Sequence, residues 1–167
     1  SSERVEQINN RLSEIMEKTV ENSGVIPERY LQEVHGLTQE MFGLYSMALG
    51  ESVEQANEIY QVLTMRHKDM NENQLLDRRN YLIQAKELEE QNYAEQEEAL
   101  RKHLAEGNYT VQEANEAMIK FEQSKASAML AINTDMIQTG KEMWKRIGKA
   151  QGQTYDEMID ELVEKTD

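Results

Sequence analysis

Apolar positions recur every three or four residues along nearly the whole chain, which is the rhythm of amphipathic helices. From Ser52 to Glu106 there are 55 consecutive residues without glycine or proline. Helical throughout, that stretch would be roughly 80 Å long at about 1.5 Å per residue. Its stripe is Ala56, Ile59 or Tyr60, Leu63, His67, Met70, Leu75, Leu82, Ala85 and Leu88. Between Glu89 and Glu98 the stripe thins to Tyr93 and Ala94, so a solvated arm with a narrow seam is expected there. Gly107-Asn108 is a turn signal. A return helix follows on Val111, Ala114, Met118, Phe121, Ala128, Ile132, Met136, Thr139, Met143 and Ile147. These steps suit shallow-angle antiparallel packing. Folding back near Gly107 predicts Phe121 beside Tyr93, Ile132 beside Leu82 and Met143 near Met70.

Before the long stretch the pattern predicts shorter helices. One covers about Glu3–Glu21 on Val5, Ile8, Leu12, Ile15 and Met16, and Asn22-Ser23-Gly24 ends it. Pro27 suits the first position of a second helix, where its missing N–H costs nothing. That helix is expected to stop at Gly36. The segment Leu37–Leu49 is the most apolar of the chain, and Gly36, Gly43 and Gly50 recur every seven residues. Gly36 and Gly50 read as helix ends and Gly43 as a close-packing point. Leu37, Met41, Phe42, Leu44, Tyr45 and Met47 form a candidate interaction surface, because large exposed apolar patches mark partners. Capping boxes at Ser52/Gln55, Thr110/Glu113 and Thr154/Glu157 mark three helix starts. The last opens an acidic helix carrying Met158, Ile159, Leu162 and Val163.

The expected fold class is therefore all-α: an elongated, coiled-coil-like antiparallel helical hairpin rising from a small helical base. Residues 1–50 would form the base and 51–150 the hairpin with its tip near 107. Residues 151–167 would be a C-terminal helix packing on the base, with Met65, Met70, Met143 and Trp144 gathered there. Composition agrees. Hydrophobic residues make up 38% of the 167-residue chain, with a single proline and no cysteine. A thin rod has little interior to fill, and the ten methionines read as core filler.

The net charge of −14 opposes binding to nucleic acid or anionic lipid. Arg78-Arg79 reads as a solvated basic pair. The longest apolar run, Ala128–Ile132, is far too short for a membrane span, and no signal peptide opens the sequence. A start of Ser-Ser-Glu-Arg-Val, already in helical rhythm, suggests part of a longer protein. His35, His67 and His103 lie far apart, none with a glutamate three residues before it, so the Glu-x-x-His pairs of di-iron bundles are missing. His67 reads as a hydrogen-bonded core histidine. No phosphate loop, calcium loop or His-Glu-x-x-His occurs. Asp156, Glu157, Asp160 and Glu161 are a charged helix face, and Asn108-Tyr109-Thr110 is a glycosylation sequon by composition alone. No catalytic, cofactor-binding or metal-ligating residue is expected, no cofactor, and no enzyme.

Gly50-Glu-Ser-Val-Glu-Gln-Ala-Asn-Glu-Ile-Tyr60, the Glu/Gln-rich helix after it, Gly107-Asn-Tyr-Thr-Val-Gln-Glu-Ala-Asn115 and Lys120-Phe-Glu-Gln-Ser-Lys125 together resemble helical segments of bacteriophage tail tape-measure proteins. The resemblance covers roughly residues 50–150. It implies a structural role in a protein that threads the tail tube, sets its length and leaves during DNA ejection. Partners would be other tail proteins or further copies of the chain, in the virion tail or the host cytoplasm. The apolar Leu37–Leu49 segment departs from a uniform ruler. It supports the alternative reading, an acidic helical protein-binding module of adaptor or chaperone type with its patch at 37–49.

Overall fold

The computed structural model describes residues 2–166 and is all-helical, with six α-helices and no strand among the described residues. They are α1 (Ser2–Glu21), α2 (Glu28–Leu49), α3 (Val53–Thr64), α4 (Glu72–Glu106), α5 (Val111–Ala150) and α6 (Tyr155–Thr166).

Two helix boundaries differ from those read in the sequence. The stretch 52–106 is two helices, not one: α3 ends at Thr64, a single 3-10 turn covers His67–Asp69, and α4 restarts at Glu72. The restart has its own capping box, with Asn71 Oδ1 accepting from the Gln74 N–H and Gln74 Oε1 accepting from the Asn71 N–H. In the second difference, α2 runs straight through Gly36. A Cβ there would meet open space, so neither turn nor crowding demands the glycine. As the return stripe implied, α5 runs to Ala150, passing through Gly140 and Gly148. At Gly148 a Cβ would collide with the Met158 sulfur, and this close approach is how α6 seats on the end of α5.

The core gathers where five helices meet: Ile8 from α1, Met41, Phe42 and Tyr45 from α2, Ile59 and Leu63 from α3, Leu82 and Ala85 from α4, and Ile132 from α5. It therefore lies against the middle of α4 and α5. The expected gathering of Met65, Met70, Met143 and Trp144 is not its centre; Met70 is buried but Trp144 is 47% exposed. Contacts between α4 and α5 pair late positions of one with early positions of the other. Arg78 meets Asp135, while Tyr93 meets Ser124 and stands edge-on to Phe121 at 5.7 Å between ring centroids.

Leu37–Leu49 needs correcting. Met41, Phe42 and Tyr45 are interior, and Leu37 and Leu44 pack against the same core. Of the six residues taken as an interaction surface, Met47 alone is largely exposed, at 72%. The physical reason is that α1, α3, α4 and α5 all converge on this face of α2, so its apolar stripe is filled from within.

Candidate functional site

Arg78, read in sequence as solvated, is 4% exposed and the best-connected polar side chain of the fold. It lies seven residues beyond the Asn71 cap, which turns it back over the break between α3 and α4. Its Nε donates to Asp135 Oδ1 at 2.8 Å and its Nη2 to Asp135 Oδ2 at 2.6 Å, a bidentate pair to α5. Its Nη1 donates to the carbonyls of Val62 and Met65. Those are carbonyls at the end of α3 that the helix itself leaves unpaired, where the negative end of the helix dipole favours a cation. One guanidinium thus ties the end of α3, the first turns of α4 and the middle of α5.

His67 and Thr139 complete the cluster. Thr139 Oγ1 donates to Asp135 Oδ1 at 3.2 Å, and His67 Nε2 lies 2.9 Å from Thr139 Oγ1 and 3.2 Å from Asp135 Oδ1. Because a carboxylate only accepts, Nε2 carries the hydrogen. Burial, then the neighbouring Arg78 charge, holds the imidazole below its ordinary value, with Asp135 and Glu142 pulling the other way. The carbonyl of His67 accepts from Arg146 Nη2 at 3.1 Å, so the 3-10 turn is pinned to α5 from both sides. Asp135 takes three of these contacts on Oδ1, from Arg78 Nε, Thr139 Oγ1 and His67 Nε2, and one on Oδ2, from Arg78 Nη2. The carboxylate is held between α4, α5 and the 3-10 turn, and the arrangement is a clamp.

A second buried polar group lies further along α4, where the sequence suggested a solvated arm. Glu89 is 2% exposed and lies among residues of both α1 and α2. Nearby, Asn9 Nδ2 of α1 donates to Tyr93 Oη at 2.9 Å, and Tyr93 Oη is in turn 3.2 Å from Ser124 Oγ of α5. Unlike the clamp, this group is incomplete. Asn9 Oδ1, Tyr45 Oη and Glu89 Oε2 are buried without a hydrogen-bond partner in the chain. Burial pushes the Glu89 carboxyl up, and nearby Asn9, Asn92 and Tyr45 offset part of that without meeting Oε2 in bonding geometry. Burial raises the Tyr45 and Tyr93 hydroxyls too. The three residues with open atoms line a cavity of about 200 Å³ between α1, α2 and α4.

No protein-family model, curated protein or solved structure matches the chain.

The histidines do not converge. His67 belongs to the clamp, His35 is exposed, and His103 pairs with the Tyr109 hydroxyl at 2.7 Å beside the turn into α5. Among the described residues no group of three or more His, Asp or Glu is placed to hold a metal ion, and no helix is long and apolar enough to cross a membrane. A mostly apolar cleft of about 290 Å³ separates α1, α2 and α5, floored by Phe42 and Ala131 and edged by Asp135. Of the residues that matter, sequence reasoning missed Arg78, Asp135 and Glu89. Asn71 with Gln74 was the one legible trace of the break that makes Arg78 and His67 neighbours.

Proposed function

We propose that this chain is a non-enzymatic structural and assembly segment of a phage or prophage tail protein of the tape-measure kind. In this reading α4 and α5 form an elongated antiparallel hairpin within residues 51–150. Residues 1–50 brace it, and residues 151–167 close its open end. The observation that carries the reading is how the buried charges of the clamp are used. Arg78 and Asp135 are spent joining α3, α4 and α5, which is what a part that must keep its shape needs and what a catalytic centre cannot spare. Helices of 35 and 40 residues joined by a four-residue turn fit the same role. The adaptor reading loses its main support, since Met41, Phe42 and Tyr45 of its patch are core. The test is the coding sequence on both sides. A reading frame continuing through hundreds of helical residues among tail genes supports the proposal. A short independent frame with no tail gene nearby contradicts it.

A further inference from the structure

The two buried polar groups on α4 differ in one respect: the buried polar atoms of the clamp each have a partner, and three around Glu89 have none. Its open atoms are a carboxylate oxygen, an amide oxygen and a hydroxyl oxygen, from three residues each at most 2% exposed and all lining one cavity. All three can accept, and unmet buried acceptors are costly. We propose that this cavity binds a primary alkylammonium group, its three N–H bonds directed at Glu89 Oε2, Asn9 Oδ1 and Tyr45 Oη.

The match is one of number, charge and shape. An alkylammonium has three donors and no acceptor, as a lysine head group does. One N–H of Asn9 Nδ2 is taken by Tyr93 Oη, and no donor of the chain meets Glu89 Oε2 in bonding geometry. Leu44, Ala48 and Leu88 supply an apolar wall for the carbon chain. A cavity of about 150 Å³ is enough for a benzene-sized molecule, so about 200 Å³ accommodates a short alkyl chain. A bound cation would also supply the counter-charge that burial denies Glu89. The surrounding field favours it, since a net charge of −14 concentrates cations at the surface. Calcium or magnesium fits poorly: each would need six or more oxygens, and Glu89 and Glu6 are the only carboxylates of the lining. An anion would face Glu89 directly.

The ammonium could belong to a free amine or to a lysine side chain of another protein, and the test separates them. Isotope-labelled full-length chain is titrated with n-butylammonium chloride at constant ionic strength and followed through the side-chain amide signals of Asn9 and Asn92. Saturable shifts are expected with n-butylammonium and not with n-butanol, tetramethylammonium or sodium chloride. Glu89→Gln should weaken binding about tenfold or more, the loss of one charge-assisted hydrogen bond. Tyr45→Phe, which keeps the ring in the core, should weaken it severalfold. Absence of shifts in the wild type, equal shifts with n-butanol, or unchanged affinity in a folded Glu89→Gln chain would overturn the assignment. Comparison with Nα-acetyl-lysine amide assigns the source. Tighter binding of the lysine derivative indicates a partner's side chain, tighter binding of n-butylammonium indicates a free amine, and either ranking supports alkylammonium recognition.

Discussion

Replacing Asp135 by asparagine keeps the outline of the side chain but withdraws the counter-charge from Arg78. The guanidinium side chain is only 5% exposed, so water cannot take the carboxylate's place. Removing one member of a buried, hydrogen-bonded ion pair costs about 3–5 kcal/mol. In a chain of this size each kcal/mol moves the melting temperature by about 2–4 °C, so a fall of about 6–20 °C is expected. The damage should centre on the α3–α4 break, because Arg78 also caps Val62 and Met65 there. A double-mutant cycle sharpens the prediction. Arg78→Met alone should be comparably harmful, leaving Asp135 buried beside His67. Arg78→Met with Asp135→Leu should recover most of the loss, since no lone charge remains. It should still fall short of wild type by about 1–3 kcal/mol for the uncapped α3 carbonyls. Thermal and urea melts followed by circular dichroism give all four corners. Single variants each costing under about 1 kcal/mol, or costs that simply add, would refute the clamp.

Two glycines should respond in opposite directions. Gly36→Ala, in the helix interior with open space for the methyl, should stabilise by about 0.5–1 kcal/mol. Gly50→Ala, whose Cβ would lie 2.7 Å from the Ala56 backbone nitrogen, should destabilise by about 1–3 kcal/mol, and the same melts read both. Phe121→Ala removes the edge-on contact with Tyr93 and should cost about 1–2 kcal/mol, visible as a lower urea midpoint with helicity kept. Glu89→Gln should change how stability depends on pH. Because burial raises the folded-state value of Glu89, the native state binds the proton more tightly. The stabilisation this gives is present below the ordinary glutamate range and lost as pH rises through the raised value. Melts between about pH 4 and pH 8 should therefore show the variant gaining on wild type as pH increases; parallel curves would contradict a buried, strained carboxyl.

The helical class, the starts of α3 and α5 and the face of α5 were legible because each rests on local chemistry. Ser52 and Thr110 cap their helices through side-chain oxygens that sequence spacing alone exposes. The Phe121–Tyr93 contact followed from one turn and a regular period. The break at residues 65–71 was hidden because Leu63, His67 and Met70 keep helical spacing across it. Its cause is tertiary. Arg78 reaches back to α3 and across to α5, and no local pattern distinguishes it from the exposed Arg79 beside it. Leu37–Leu49 shows the converse. Its apolar stripe was plain, but whether water or four other helices cover it is a property of the whole chain. Glu89 was misread for the same reason, since the residues around it come from α1 and α2, distant in sequence.

The pairing of α4 with α5 is tested most directly by ring-proton cross-relaxation in solution. The chain has only two phenylalanines, so Phe121 can be assigned against Phe42 without ambiguity. Cross-peaks joining Phe121 to Tyr93, retained when labelled chain is diluted with unlabelled chain, are the predicted result. A Phe121 ring that shows no contact with Tyr93, or one that loses it on dilution, would contradict the pairing of the two long helices.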